Sequence, residues 1–140
     1  MSRDGRSNAL FIVAGVEAPP VELVGLAELV TVRFPWGSLL RGLLGLDPRA
    51  MAGLSSLVAR DGSLEALVSI ETRDGLRDEH SALTDGRLAA SWSQFGFKLD
   101  EIRAARPSEV AASGSSWARR LGATSTDRRR VMRLRLSRLP

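Results

Sequence analysis

Val30-Thr31-Val32-Arg33-Phe34-Pro35-Trp36-Gly37-Ser38-Leu39-Leu40-Arg41-Gly42-Leu43-Leu44 is the stretch on which the fold turns. Val30 to Phe34 is rich in β-branched and aromatic residues and reads as a strand. Pro35 has no N–H for a ladder and restricts the residue before it, so the strand stops there, and Gly37 completes the break. Beyond it Leu39, Leu40, Leu43 and Leu44 recur at helical spacing. A strand that ends in a Pro-Trp-Gly turn and feeds a helix is one unit of an α/β fold.

The flanks extend that pattern. Leu10-Phe11-Ile12-Val13-Ala14 is a continuous apolar run between Asn8 and Gly15, which predicts a strand buried on both faces, as in a parallel sheet. Gly15 to Pro20 reads as a loop and Val21 to Leu29 as a short helix. Downstream, Asp47 and Pro48 supply an N-cap and first-turn pair for a helix running to about Arg60, with Met51, Leu54, Leu57 and Val58 inward. Asp61-Gly62 predicts a turn and Leu64 to Ile70 a strand. Residues 72–86 are polar and read as a surface loop, with the lone His80 solvated. Leu88, Trp92 and Phe95 stand at i, i+4 and i+7 of a further helix ended by Gly96, so Trp92 belongs to the core. Phe97 to Arg103 is a strand, and Pro107 opens a helical stretch interrupted by Ser113-Gly114-Ser115-Ser116. Finally Met132, Leu134 and Leu136 alternate with Arg133 and Arg135, the pattern of a half-buried antiparallel strand. The expectation is a single α/β domain over residues 1–140 with an antiparallel addition at its C-terminal end.

Composition narrows the chemistry. With 44% hydrophobic residues in 140, the chain can bury a core and is not of the disordered class. It has no cysteine and one histidine, which excludes disulfides, thiolate metal sites and a histidine metal cluster. No apolar run reaches membrane-spanning length and the first eight residues do not resemble a signal peptide, so a cytoplasmic location is expected. Charge is uneven: residues 1–118 carry 12 basic and 15 acidic side chains, net −3, whereas residues 119–140 carry eight Arg and only Asp127, net +7. Guanidinium groups bind phosphate bidentately and stack on bases, so this end suits nucleic acid. A solvated strand face in an Arg-rich composition is the alternative reading.

Two segments carry a family resemblance. Val32 to Gly42, with Phe34-Pro35-Trp36-Gly37 at its centre, resembles the motif after the fourth strand of the aminoglycoside-resistance methyltransferases that modify N1 of a decoding-site adenine in 16S ribosomal RNA. Ser115-Ser116-Trp117-Ala118-Arg119-Arg120-Leu121-Gly122 is similar to that family's second tryptophan segment, and Leu10 to Glu17 to its third strand. The resemblance implies an S-adenosylmethionine-dependent rRNA methyltransferase acting on the 30S subunit. It places Trp36 and Trp117 on the two faces of the flipped target adenine. Arg119, Arg120, Arg128, Arg129 and Arg130 would hold RNA phosphates, while Ala14, Gly15, Glu17 and Ser115 would lie against the cofactor.

The resemblance also implies the class I (Rossmann-like) sheet order 3-2-1-4-5-7-6, of which this chain would supply all but the first two strands. No Gly-rich loop of the cofactor-binding kind precedes Leu10. The expectations are therefore a partial methyltransferase sheet, poor cofactor binding by the isolated chain, and a third strand that either pairs with the fourth or remains an exposed apolar edge. That edge would favour a complementing N-terminal segment or self-association. Two other functions are open: a non-catalytic RNA- or ribosome-binding module, and one half of a split methyltransferase.

Overall fold

A computed structural model of the chain describes residues 8–71, 86–113 and 129–140. Four strands, β1 (Ala27–Arg33), β2 (Val58–Glu71), β3 (Phe97–Ala104) and β4 (Arg129–Arg138), form one sheet in the order β1-β2-β4-β3. β1 pairs parallel to β2, and β4 lies antiparallel to both β2 and β3. This is the 4-5-7-6 part of the order the resemblance implies, with the antiparallel C-terminal strand inserted between its neighbours.

Three helices cover one face: α1 (Gly37–Leu43), α2 (Pro48–Leu57) and α3 (Arg87–Ser93). The Asp47 carboxylate accepts from the Arg49 and Ala50 N–H groups at 3.1 Å, so α2 starts where its N-cap and Pro48 place it. Leu43, Met51, Leu54, Leu88 and Trp92 from the helices, with Leu44 at the C-cap of α1, bury against Val32, Leu64, Ala66, Val68, Phe97, Leu134 and Leu136 from the strands. No helix among the described residues is long and apolar enough to cross a membrane.

The second face is polar. A short helix, α4 (Pro107–Ala112), packs there through Val110 against Phe34 and Leu67, on which Val131 also packs. Around that small apolar contact, Arg103 grips Glu109 bidentately at 2.6 and 2.8 Å, and Arg135 meets Glu65 at 2.8 Å. The Arg103 guanidinium, helped by the Arg106 N–H, pulls the Glu109 carboxyl down to about 2. Whatever stability the pair contributes is present above the ordinary carboxylate range and fades as pH falls toward that value.

Three expectations are corrected. Leu10–Ala14 is not a buried strand: it is irregular, pairs with no strand among the described residues, and leaves Phe11 94% exposed. A continuous apolar run states a demand for burial, and here no neighbouring strand meets it. Val21 to Leu29 is not a helix either. Only Val21–Leu23 makes a 3-10 turn, after which Gly25 takes φ +72° and donates its N–H to Ser56 O at 2.7 Å, so β1 starts at Ala27. Lastly α2 stops at Leu57 rather than Arg60, and Asp61-Gly62 lies inside β2. The ladder jumps there from Ala27↔Val58 to Leu29↔Ser63, so the predicted turn is absorbed as an outward kink with Asp61 at φ +63°.

Candidate functional site

The turn after β1 sets the site. Phe34 takes φ +51°, uncommon for a residue with a side chain and costing on the order of 1–3 kcal/mol. It is held there by its N–H donating to Leu67 O at 2.8 Å and by its buried ring. Pro35 then continues away from the sheet, and Gly37 supplies a second positive φ, +63°, to start α1. Trp36 is left between them, 85% exposed. A tryptophan placed in water by two constrained backbone positions is not a core anchor. The other described tryptophan, Trp92, is fully buried and donates Nε1–H to Leu43 O at 3.1 Å, as its helical spacing predicted.

Beside Trp36 lies an open cleft of about 630 Å³ between the 12–20 segment, α1 and α2. Ala14, Gly15 and Glu17, the described candidates for cofactor contact, line it together with Trp36, Ser38 and Leu54. The Ser38 hydroxyl donates to the Glu17 carboxylate, which ties this segment to the first turn of α1. That bond is the main reason the Glu17 carboxyl is lowered, with a backbone N–H contributing next. The cleft thus offers an ionised acceptor at its mouth and an apolar wall.

Three of the groups that build the cleft have no counterpart in the sequence reading. Ser38 is one and the backbone strain at Phe34 another. The third is Gly53, on the buried side of α2, where an added Cβ would stand 1.7 Å from Val16 O. A glycine inside an otherwise regular helical pattern was the available signal. On helix propensity alone Gly53→Ala gains about 0.8–1.0 kcal/mol. The close approach of Val16 predicts the reverse: Gly53→Ala lowers the melting temperature and speeds amide exchange at residues 14–18. A raised melting temperature would show that the 12–20 segment is not packed on α2.

The remaining candidates fall in two groups. Ser115, Trp117, Arg119, Arg120 and Arg128 lie outside the described residues. Arg129 and Arg130 open β4, opposite Glu71 and Ile70. Elsewhere in the basic end, Arg133 lies 3.5–3.6 Å from Glu65, Glu101 and Glu109, and Arg135 pairs with Glu65. Arg138 donates to Ser55 O and Val58 O at the end of α2 and stacks over Phe97 at 5.5 Å. These three make contacts that belong to the fold itself.

The family model for NpmA, 16S rRNA (adenine(1408)-N(1))-methyltransferase, matches residues 1–136. A 16S rRNA (adenine(1408)-N(1))-methyltransferase of Streptoalloteichus hindustanus is 36% identical over 140 residues, covering 95% of this chain and 64% of that protein. The chain therefore spans about 64% of the length of such curated relatives. Among solved structures, the 16S rRNA methyltransferase KamB superposes with a TM-score of 0.76 at 32% identity, over 91% of this chain and 61% of that one. A tryptophan-to-alanine variant of the corresponding enzyme from Catenulisporales acidiphilia, solved with its cosubstrate SAM, gives 0.68 at 27% identity, over 91% and 60%.

Proposed function

Because the chain belongs to the 16S rRNA (adenine(1408)-N(1))-methyltransferase family, we propose that the cleft beside Trp36 is the base-binding and cofactor-adenine side of an rRNA methylation site. The observation that carries this is Trp36 itself, displayed in water by a strained turn at the cleft mouth. A base in structured RNA must be unstacked before an enzyme can reach its edge, and stacking on an aromatic face returns about 1–3 kcal/mol of that cost. Trp36 supplies one face and Trp117 the other.

The donor set of the cleft fits the adenine end of S-adenosylmethionine. Ala14 and Gly15 leave room for a flat ring, the wall at Leu54 is apolar, and the Glu17 carboxylate, fixed by Ser38, accepts from an exocyclic amine. Ser115 is a further candidate contact. When bound, the cofactor supplies an electrophilic methyl group on sulfur. Adenine N1 carries an in-plane lone pair that is largely unprotonated at neutral pH, so no side chain has to remove a proton. The work of the chain is positioning. Arg119, Arg120, Arg128, Arg129 and Arg130 hold phosphates around the extruded base, which sets register without reading sequence. The substrate is the 30S subunit in the cytoplasm, and the outcome is resistance to aminoglycosides. The methionine end of the cofactor is held by a complementing segment, taken up at the open edge of β1 and the exposed Leu10–Val13 run; a second copy of the chain is the other candidate occupant.

The test is transfer of labelled methyl from S-adenosylmethionine to 30S subunits, by the chain alone and with the complementary part of a relative, the product being mapped by primer-extension arrest. Transfer to adenine N1 in the complemented reaction is expected. Tight 30S binding without transfer would instead identify a non-catalytic ribosome-binding module. In either case affinity should fall with a log-log salt slope of about −0.9 per phosphate neutralised, the limit for duplex nucleic acid. Salt-independent binding removes the arginines from the interface.

A further inference from the structure

Arg33 is the last residue of β1, on the polar face of the sheet. Across the sheet it stands in one row with Leu67, Arg133 and Arg103. Three cations in one row repel unless partnered. Glu101 and Glu109 serve Arg103, and Glu65, Glu101 and Glu109 surround Arg133. Arg33 reaches a distant backbone group: its Nη1 donates to Ser113 O at 3.0 Å, a contact between residues 80 apart in sequence, whereas the backbone carbonyl that Arg103 reaches is that of its neighbour Ala104.

Ser113 is the residue on which α4 ends, and it is buried. A helix of six residues does not stand by propensity. α4 is held at three points: Glu109 in the fork of Arg103, Val110 against Phe34 and Leu67, and Ser113 O on Arg33. Two of these three involve the adjacent residues Arg33 and Phe34, so the end of β1 and the end of α4 are fixed to each other. A cation at the last carbonyls of a helix is also the favourable sign for the helix dipole. Trp36 follows Arg33 by three residues and Trp117 follows Ser113 by four, spans that reach at most roughly 11 and 14 Å of chain.

We propose that Arg33 is a positioning residue that locks the Trp36 turn to the C-terminal end of α4, the element that precedes Trp117 in the sequence. The inference rests on the reading of Trp36 and Trp117 as the two faces of a base site. Stacking on both faces of a purine demands a fixed gap between the two aromatic faces, and Arg33, beside the Phe34–Val110 contact, ties the Trp36 turn to the end of α4.

The chain has no cysteine, so label pairs can be introduced without background. Spin labels at Trp36→Cys and Ala112→Cys, measured by double electron–electron resonance in the full chain, should give a single narrow distance distribution. Arg33→Met should lose that narrow peak, and Arg33→Lys, which keeps a charge and a donor, should restore part of it. A control pair at Arg60→Cys and Lys98→Cys should keep its distribution in all three backgrounds. An unchanged 36–112 distribution in Arg33→Met overturns the proposal. So does broadening of both pairs together, which reports a looser fold rather than a lost strut. No base or cofactor enters this measurement, so its failure leaves the stacking reading standing, and failure of the stacking reading leaves the strut in place.

Discussion

Trp92→Ala is expected to destabilise the chain by about 3–5 kcal/mol, the range for truncating a large buried aromatic. Trp92 has no exposed surface and sits where three elements meet. Its ring makes edge-on contacts with Phe95 at 6.3 Å and Phe97 at 5.6 Å, and its Nε1–H reaches Leu43 O at the end of α1. Removing it opens a cavity beneath α3 and takes a donor from a carbonyl at a helix end, where intrahelical partners are lacking. Domains of this kind are stable by only about 5–15 kcal/mol, so the loss is about a fifth or more of the total. Urea unfolding of parent and variant measures it. Trp92→Phe refills most of the volume without the hydrogen bond and should fall between the two. A loss below about 1 kcal/mol for Trp92→Ala would mean that the α3–β3 packing is not what the burial of Trp92 implies.

Trp92 also shows what the sequence makes legible. Its place followed from the i, i+4, i+7 spacing of Leu88, Trp92 and Phe95, just as the inward face of β4 followed from the alternation of Met132, Leu134 and Leu136. The start of α2 followed from the Asp47 cap. In each case the determining chemistry lies within one or two turns or strand steps of the residue it governs. The errors lie where the decision belongs to distant residues. Leu10–Ala14 is as apolar as an interior strand, but pairing requires a neighbour, and none of the described strands lies beside it. Val21 to Leu29 has helical spacing, yet Gly25 is captured by Ser56 O, 31 residues on, and Ala27–Leu29 joins β2 instead.

The candidate site divides in the same way. Trp36 was legible as the one described tryptophan outside an apolar stripe, and the cleft residues Ala14, Gly15 and Glu17 through the family resemblance. Ser38, Gly53 and Arg33 were not, since each acts on a segment 20 to 80 residues away. A charge count also does not show the partners of Arg133, Arg135 and Arg138, which the strand pairing sets opposite or beside carboxylates and a helix end.

Trp36→Ala is the companion experiment, and its expected signature is the inverse of that for Trp92. In the complemented enzyme it should lower the rate of 30S methylation by at least about tenfold, the effect of removing a stacking face worth about 1–3 kcal/mol. Its melting temperature should hardly move, because a side chain that is 85% exposed has little burial to lose. The turn that carries it is held by neighbours, Phe34 through Leu67 O and the ring packing, and Ser38 through Glu17, all of which the substitution leaves intact. Trp36→Phe keeps an aromatic face and should retain most of the rate, which separates stacking from mere bulk. Trp117→Ala should reproduce the loss, and the double variant should cost less than the sum of the singles, because a base released from one face no longer stacks well on the other. Initial rates at saturating S-adenosylmethionine together with thermal unfolding decide the matter. Wild-type methylation by Trp36→Ala would remove the stacking role, and unfolding of that variant would make Trp36 a structural residue despite its exposure.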